Sequence, residues 1–144
     1  MSQLIATITK ISTVDNLNIV EFDFHGNILK MMSLDLGKEV QLGKKVILSV
    51  KSTNVSLAKN LSGDLSFSNK IVAIIENVEN GILLSSITLK INNTYIESII
   101  TADSSKRMQL RENDTVTVLI KASNLSIEEI LNDWTIKKYR IWTL

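Results

Sequence analysis

The chain repeats itself, and this feature constrains its fold more than any other. The stretch KSTNVSLA, which starts at Lys51, returns in altered form as KASNLSIE, which starts at Lys121. Two further pairs follow the same order, QLIATITKI with KIVAIIENV and MMSLD with IITAD. A repeat of this kind indicates two copies of one structural unit. We expect four segments: a domain at 1–60, a polar linker at 61–69, a domain at 70–128 and a C-terminal tail at 129–144.

Within each copy, the residue pattern is typical of β-strands. Ile, Val and Thr dominate segments such as ITLKINNTYIESII and TVTVLIK, and these residues favour strands. Turn signals separate the segments at His25-Gly26-Asn27, Glu79-Asn80-Gly81 and Asn92-Asn93. We expect one helical turn in DLGKEVQLG and another in DSSKRMQLREND. Five short strands in about 60 residues predict an OB-like barrel per copy, and therefore a mainly all-β protein.

The tail departs from the repeat. Ser126, followed three residues later by Glu129, forms a capping box ahead of Ile130, Leu131 and Trp134. This pattern predicts a short amphipathic helix, which the strand-like KKYRIWTL follows. We expect the tail to cover the second barrel or to contact another subunit.

Composition excludes several classes of function. The formal net charge is +1, with no cysteine and a single histidine. Disulfides, thiolate nucleophiles and cysteine-ligated zinc are therefore excluded, and a Ser-His-Asp enzyme is disfavoured. No apolar run approaches the roughly twenty residues of a membrane span, and no charge excess attracts nucleic acid. We expect a cytoplasmic binding protein that is not an enzyme, has no cofactor and contacts no membrane.

The repeated lysines are the first candidates for a binding site. A lysine at the end of a strand is usually a solvated charge, but Lys51 and Lys121 recur at equivalent positions. Each is followed by small and hydroxyl residues, Ser52-Thr53 in one copy and Ala122-Ser123 in the other. Hydrogen-bond donors without acceptors suit a fully ionised tetrahedral oxyanion, which presents only acceptor oxygens.

Two hydroxyl residues are the next candidates. Ser33 in MMSLD and Thr101 in IITAD stand at equivalent places, where a predicted strand enters a loop. Each could form an ST-turn or cap the following helical turn. A loop with clustered N–H groups beside a hydroxyl can also bind an anion, and the two roles are compatible.

These motifs resemble those of the molybdate-binding Mop domains of the TOBE superfamily, in their tandem form. The similarity rests on VKSTNVSLA and IKASNLSIE, on MMSLD and ITADSSKRMQL, and on LRENDTVTVLIK, and it covers most of the chain. The resemblance implies an OB-like barrel per repeat and association of chains as dimers or trimers. It also implies that molybdate or tungstate binds at interfaces between domains.

The resemblance assigns binding residues position by position. The matching residues are Lys51, Ser52 and Ser33 in repeat one, and Lys121, Ala122, Ser123 and Thr101 in repeat two. A further family element is S-x-R before the first strand of a domain, and here Ser66 is kept while Ser68 replaces the arginine. Losing arginine removes a bidentate, permanently charged donor. Either affinity is lower, or a residue such as Lys70 or Arg107 compensates, or some sites are inactive.

Several functions share this fold. The favoured hypothesis is storage or buffering of molybdate or tungstate by reversible binding. The alternatives are a ligand-sensing module that acts through a protein partner, and a degenerate scaffold that has lost its ligand. A nucleic-acid-binding barrel ranks lower because it requires a basic groove with stacking aromatics, whereas only seven aromatics occur here and three of them crowd into the tail.

Overall fold

The computed structural model describes residues 2–132, most of which lie in β-strands. The strands are β1 (Ser2–Val14), β2 (Leu17–Phe24), β3 (Asn27–Ser33), β4 (Lys45–Val50), β5 (Ser56–Ala58), β6 (Asn69–Asn80), β7 (Leu84–Ile91), β8 (Thr94–Thr101), β9 (Thr115–Ile120) and β10 (Ser126–Leu131). This part of the chain also contains one short helix, α1 (Ala102–Arg107), and two 3₁₀ turns, Ser52–Asn54 and Ala122–Asn124. Within residues 2–132, no helix is long and apolar enough to cross a membrane.

The strands form two five-stranded sheets, and each sheet takes one edge strand from the other repeat. One sheet has the order β10-β4-β1-β2-β3, and the other has the order β5-β9-β6-β7-β8. The strand that follows each 3₁₀ turn, β5 or β10, therefore completes the sheet of the other copy. We call the compact unit of residues 3–49 and 122–132 the first barrel. The unit of residue 2 and residues 50–121 is the second barrel.

The sequence repeats and the compact units are thus different divisions of the chain. The predicted domains at 1–60 and 70–128 describe the duplicated sequence. The chain passes from the first barrel to the second immediately before Val50 and returns to the first barrel immediately after Lys121. Both crossings fall at the lysine motif, so that motif joins the two units covalently.

The core of the first barrel follows from alternation along its strands. On β1, Leu4, Ala6 and Ile8 point inward and are at most 3% exposed. Phe22 and Phe24 do the same on β2. Burying one such side chain contributes about 1.5–3 kcal/mol relative to exposure. The β1–β2 register shifts between Ile8 and Lys10, and a bulge of this kind bends the strand and helps the sheet to curl.

The second barrel repeats this construction. Ile71, Ala73 and Ile75 alternate inward on β6, and the β6–β7 register shifts between Ile75 and Asn77. The same device therefore curls both sheets. The predicted fold class is confirmed: the described residues form two mainly β, OB-like, five-stranded barrels in tandem.

The predicted hairpin turns are confirmed. His25 and Gly26 adopt φ values of 49° and 84° between β2 and β3, and Asn92 adopts 52° between β7 and β8. Gly81 follows β6, where its N–H donates to the Leu84 carbonyl at 2.8 Å. A Cβ at this glycine would lie 2.6 Å from that same oxygen, so the turn requires glycine.

The two predicted helical turns differ in outcome. The segment DSSKRMQLREND contains most of α1, as expected. The prediction for DLGKEVQLG is wrong, because residues 35–43 form isolated turns instead. In one of them the Val40 N–H donates to the Gly37 carbonyl at 3.1 Å. Gly37 and Gly43 disfavour a helix in this segment, since Gly loses the most backbone freedom on folding.

The helix predicted from the capping box is also wrong where the structure tests it. Residues Ser126–Leu131 form β10, which pairs antiparallel with β4. Ile127 faces Leu48 in the register and Ile130 faces Val46, so tertiary pairing of apolar residues overrides the local helix signal. The remainder of the predicted helix and the strand-like KKYRIWTL lie outside the described residues.

Candidate functional site

The lysine motif has the same local structure in both copies. Lys51 follows β4 and Lys121 follows β9, and each leads directly into a 3₁₀ turn. Both lysines are exposed. In the first copy the Asn54 N–H donates to the Lys51 carbonyl at 2.8 Å, which closes the turn. The N–H groups of Ser52 and Thr53 come before that bond and take no part in the hydrogen bonds of the turn itself.

The two turns pack on strands from the opposite repeat. The turn at Ser52–Asn54 lies against β8, and the turn at Ala122–Asn124 lies against β3. In the second barrel, the buried Ser98 hydroxyl donates to the Val55 carbonyl at 2.5 Å and fixes the end of the first turn. Ser52 therefore shares a barrel with Thr101, whereas Ala122 and Ser123 share one with Ser33. The structure does not group the candidates by repeat.

A carboxylate lies beside Ser52 in the second barrel. Glu97 accepts a hydrogen bond from the Ser86 hydroxyl at 2.7 Å, and its own N–H donates to the Ser2 hydroxyl at 2.9 Å. Hydrogen bonds from Ser86 and then from Ser52 lower the pKa of Glu97, against the opposing effect of burial. The Ser52 hydroxyl thus already has an anionic acceptor. Glu97 was missed from the sequence because it is a single acidic residue within an apolar strand.

Thr101 caps α1, as one of its two predicted roles requires. Its hydroxyl accepts from the Ser104 N–H at 3.1 Å and donates to the Ser104 hydroxyl at 2.9 Å. The Arg107 guanidinium donates to that Ser104 hydroxyl at 3.1 Å. Asp103 lies 3.9 Å from the same guanidinium, and both side chains are largely exposed. The permanently charged Arg107 guanidinium is therefore linked to Thr101 through the Ser104 hydroxyl.

The C-terminal end of α1 is anchored by Lys59. Its ammonium group donates to the carbonyls of Met108 and Gln109 and to the Asp114 carboxylate, each at 3.2 Å. These bonds hold the segment that joins α1 to β9. The Lys59 ammonium, followed by the Arg111 N–H, holds the pKa of Asp114 below its usual range.

Ser33 and Ser123 both line a groove in the first barrel. The groove has a volume of about 630 Å³ and lies between the end of β3, the segment 35–40 and strand β10. Ser33 is half-buried, and its hydroxyl donates to the Asp35 carbonyl at 3.2 Å in an ST-turn. Apolar residues line much of the groove, and they are Met31, Met32, Leu36, Val40, Leu125, Ile127 and Ile130.

The charged residues that line this groove are all acidic within the described part of the chain. They are Asp35, Glu39, Glu128 and Glu129. Glu128 accepts a hydrogen bond from the Gln3 side chain at 2.6 Å. We call this feature the acidic groove. Its carboxylates repel an anion, so Ser33 and Ser123 require nearby positive charge before they can bind one.

The remaining sequence candidates lie before β6. Ser66 and Ser68 are both exposed in the segment that precedes the buried Asn69. Within residues 2–132, no group of three or more His, Asp or Glu side chains is placed to hold a metal ion. The candidate residues themselves are lysines, an arginine and hydroxyl residues, which can donate hydrogen bonds to an anion.

Two curled five-stranded sheets and two copies of the lysine motif define a tandem OB-like fold. Residues 66–127 match the model of the TOBE domain family. The structure is similar to a crystal structure of the cytoplasmic molybdate-binding protein ModG with molybdate bound, with a TM-score of 0.80 and 25% sequence identity. The likeness covers 87% of this chain and 93% of ModG. A molybdate-binding protein from Sporomusa ovata is 30% identical over 42% of this chain and 90% of its own, with a TM-score of 0.41.

No curated protein sequence matches the chain significantly. The TOBE match covers most of the second repeat, and the likeness to ModG extends over both barrels. Together they confirm the resemblance to tandem Mop/TOBE-domain proteins that the motifs indicated.

Proposed function

We propose that the chain binds molybdate reversibly, as an unmodified tetrahedral oxyanion. The observation that carries this proposal is the likeness to molybdate-bound ModG over 87% of the chain. The repeated lysine motif supports it, because each copy presents an ammonium group next to the start of a 3₁₀ turn. The ammonium and the N–H groups of this motif are donors, which match the acceptor-only surface of the dianion.

The proposed binding residues form two sets, and each set combines residues of both repeats. In the second barrel the set is Lys51, Ser52 and Thr101, with Arg107 in place of the missing leader arginine and with Ser66 and Ser68 before β6. Arg107 is suited to this role because it already reaches the Ser104 hydroxyl that Thr101 contacts. In the other set, Lys121 precedes Ala122 and Ser123, which lie with Ser33 in the first barrel.

The two sets are not equivalent in charge. Near Lys51, the Glu97 carboxylate takes up the Ser52 hydroxyl and adds a negative charge. Near Lys121, the adjoining position is Ala122, which brings no such bond, but the acidic groove places four carboxylates beside Ser33 and Ser123. Lys121 is the one cation in its set, whereas Lys51→Ala leaves Arg107 in the other set. We therefore expect Lys121 to contribute more to anion affinity than Lys51.

The biological role that we propose is storage or buffering of molybdate, and of tungstate as the nearest chemical analogue, in the cytoplasm. ModG is described as cytoplasmic, which supports this location. We also propose that the chains form dimers or trimers, because each hairpin leaves apolar side chains in water. Ile82 is 95% exposed and Leu83 is 79% exposed at the β6–β7 loop. Surface of this kind usually marks an interface.

The experiment is a calorimetric titration of the full chain with molybdate, tungstate and sulfate. We expect binding of molybdate and tungstate, and a loss of about ten- to a hundredfold in affinity for Lys121→Ala, since removing a charged hydrogen-bond partner costs about 1.5–3 kcal/mol. Lys51→Ala should have the smaller effect. Lys10→Ala serves as the control, because Lys10 is an exposed strand lysine outside both motifs. Equal affinities for all four proteins would contradict the assignment of the lysines.

A further inference from the structure

A pair of hydrogen-bonded polar side chains links two neighbouring strands in each barrel. In the first barrel, the Thr13 hydroxyl donates to the side-chain carbonyl of Asn18 at 2.7 Å, and the two residues face each other across β1 and β2. In the second barrel, the Ser85 hydroxyl donates to the side-chain carbonyl of Asn80 at 2.7 Å, across β6 and β7. The amide stands on the second strand of one pair and on the first strand of the other. The same hydrogen bond is therefore present in both copies although its two residues differ.

In the second barrel, the amide of this pair also holds α1. The side-chain carbonyl of Asn80 accepts a second hydrogen bond, from the Ser105 hydroxyl at 2.8 Å. Ser105 is 1% exposed, and it and Ala102 are the buried residues of the helix. The Ala102 N–H donates to the Leu83 carbonyl at 2.9 Å. These two bonds fix α1 to the end of β6 and to the loop that follows it.

In the first barrel, the amide of the pair holds the end of β3. The side-chain NH₂ group of Asn18 donates to the carbonyls of Ser33 and Leu34 at 3.3 and 3.2 Å. It also donates to the Asn16 carbonyl at 3.4 Å. Asn18 is buried, so little water competes for these bonds. The position of Ser33 therefore depends on Asn18.

Both amides thus contact the segment that carries a hydroxyl of the proposed anion sites. Thr101 comes directly before α1, and Ser33 is the last residue of β3. A hydrogen bond weakens as its distance and angle depart from their preferred values, so a hydroxyl binds an ion best when its oxygen is held in place. We propose that Asn80 and Asn18 are positioning residues for the two anion sites. The inference rests on the proposed function, because it assigns the side chains that hold the proposed binding hydroxyls.

The second barrel allows positioning to be separated from general support of the fold. The hydroxyls of Ser85 and Ser105 donate to the same Asn80 oxygen, and both serines are at most 2% exposed. Ser105 belongs to α1, whereas Ser85 belongs to β7. Ser85→Ala and Ser105→Ala therefore remove the same chemical group from similarly buried positions, and each leaves the Asn80 oxygen with one donor. Of the two variants, Ser105→Ala is the one that breaks the bond to α1.

Calorimetric titration with molybdate tests the role of Asn80. Both serine variants are made in the full-length Lys121→Ala protein, in which the set of the first barrel is weakened. We expect Ser105→Ala to reduce molybdate affinity by about three- to tenfold, the effect of one hydrogen bond. Ser85→Ala, the matched control, should leave the affinity unchanged. The urea midpoints of the two variants should be alike, since each loses one buried hydroxyl.

The same comparison in the first barrel tests the role of Asn18. Asn18→Ala removes the donors to the carbonyls of Ser33 and Leu34, whereas Thr13→Val removes the hydroxyl of the pair and leaves those donors in place. Both variants are made in the full-length Lys51→Ala protein. Asn18→Ala should reduce molybdate affinity by about three- to tenfold, and Thr13→Val should leave it unchanged.

Hydrogen exchange without ligand tests the positioning itself. The Ser104 N–H donates to the Thr101 hydroxyl at 3.1 Å, so its exchange rate reports on the contact that fixes this hydroxyl. It should exchange faster in Ser105→Ala than in Ser85→Ala or in the unmodified protein. Alanine favours helix more than serine does, so a lower helix propensity cannot explain faster exchange in Ser105→Ala.

The outcomes separate this inference from the proposed function. If the unmodified chain binds molybdate, equal affinities of Ser85→Ala and Ser105→Ala would overturn the role of Asn80. Equal exchange of the Ser104 amide in those two variants would overturn it as well. No binding to Lys121→Ala would also overturn the role of Asn80, because the second barrel would then hold no anion. No molybdate binding to the unmodified chain would overturn the proposed function, and this inference with it.

Discussion

The hydroxyl of Ser98 should be one of the most sensitive positions in the second barrel. Ser98 is fully buried and donates to the carbonyl of Val55, which is itself 1% exposed. Val55 ends the first 3₁₀ turn and leads into β5, the strand that comes from the other repeat. Ser98→Ala leaves that buried carbonyl without this donor, which costs about 1–3 kcal/mol.

Urea unfolding measures this cost. With a typical slope of about 1–3 kcal/mol per molar urea, the unfolding midpoint of Ser98→Ala should fall by about 1 M. Ser12→Ala is the matched control, because Ser12 is exposed on β1 and an exposed substitution of this kind stays within about 0.5 kcal/mol. A midpoint for Ser98→Ala equal to that of the control would refute the reasoning.

Hydrogen exchange locates the effect. If the hydrogen bond from Ser98 to Val55 holds β5 in place, the amides of β5 should exchange faster in Ser98→Ala. The exchange rates of the β7 amides should change less. An equal increase in exchange rate across the second barrel would mean that Ser98 supports the core as a whole and does not hold β5 in particular.

Three further predictions concern stability. Gly81→Ala should lower the melting temperature, because its Cβ would lie 2.6 Å from a backbone oxygen, whereas Gly37→Ala meets nothing within 4 Å and should not lower it. Asp114 has a lowered pKa in the folded protein. Its contribution to stability is therefore present above its ordinary pKa of 3.8 and is lost as pH falls through its pKa in the folded protein. Asp114→Asn should therefore flatten the decline of the urea midpoint below about pH 4, and an unchanged acid profile would contradict the role of Lys59. Thr101→Ala should cost about 1 kcal/mol in thermal unfolding through loss of the α1 cap, Thr101→Ser should not, and equal stability of the two variants would contradict the cap.

Local patterns predicted the barrels well, because the features that define them are local. Alternation along β1 and β6, and the turns at Gly26 and Gly81, depend on residues that are close in sequence. The same holds for Thr101, whose capping role follows from its place before α1.

The exchange of strands between repeats could not be predicted. The segments that become β5 and β10 follow nearly identical motifs, so either sheet satisfies their local preferences equally well. Which sheet each one joins depends on chain geometry at Lys51 and Lys121, which no residue pattern reports. The proximity of Glu97 to Ser52 follows from this exchange, and so does the grouping of Ser33 with Ser123 in the acidic groove. At Ser126, pairing of β10 with β4 overrides the local capping signal, because that pairing also depends on residues far apart in the sequence.

Competition between molybdate and phosphate tests the central claim most directly. Near neutral pH every phosphate ion carries at least one proton, and the ammonium and N–H donors of the lysine motif offer that proton no acceptor, whereas molybdate is an unprotonated dianion. The measurement is calorimetric titration of the full chain with molybdate, in buffer alone and in a large excess of phosphate. Our account predicts binding of molybdate that phosphate does not weaken. Displacement of molybdate in that excess of phosphate would contradict binding by donors alone, and the absence of any molybdate binding would contradict the proposed function itself.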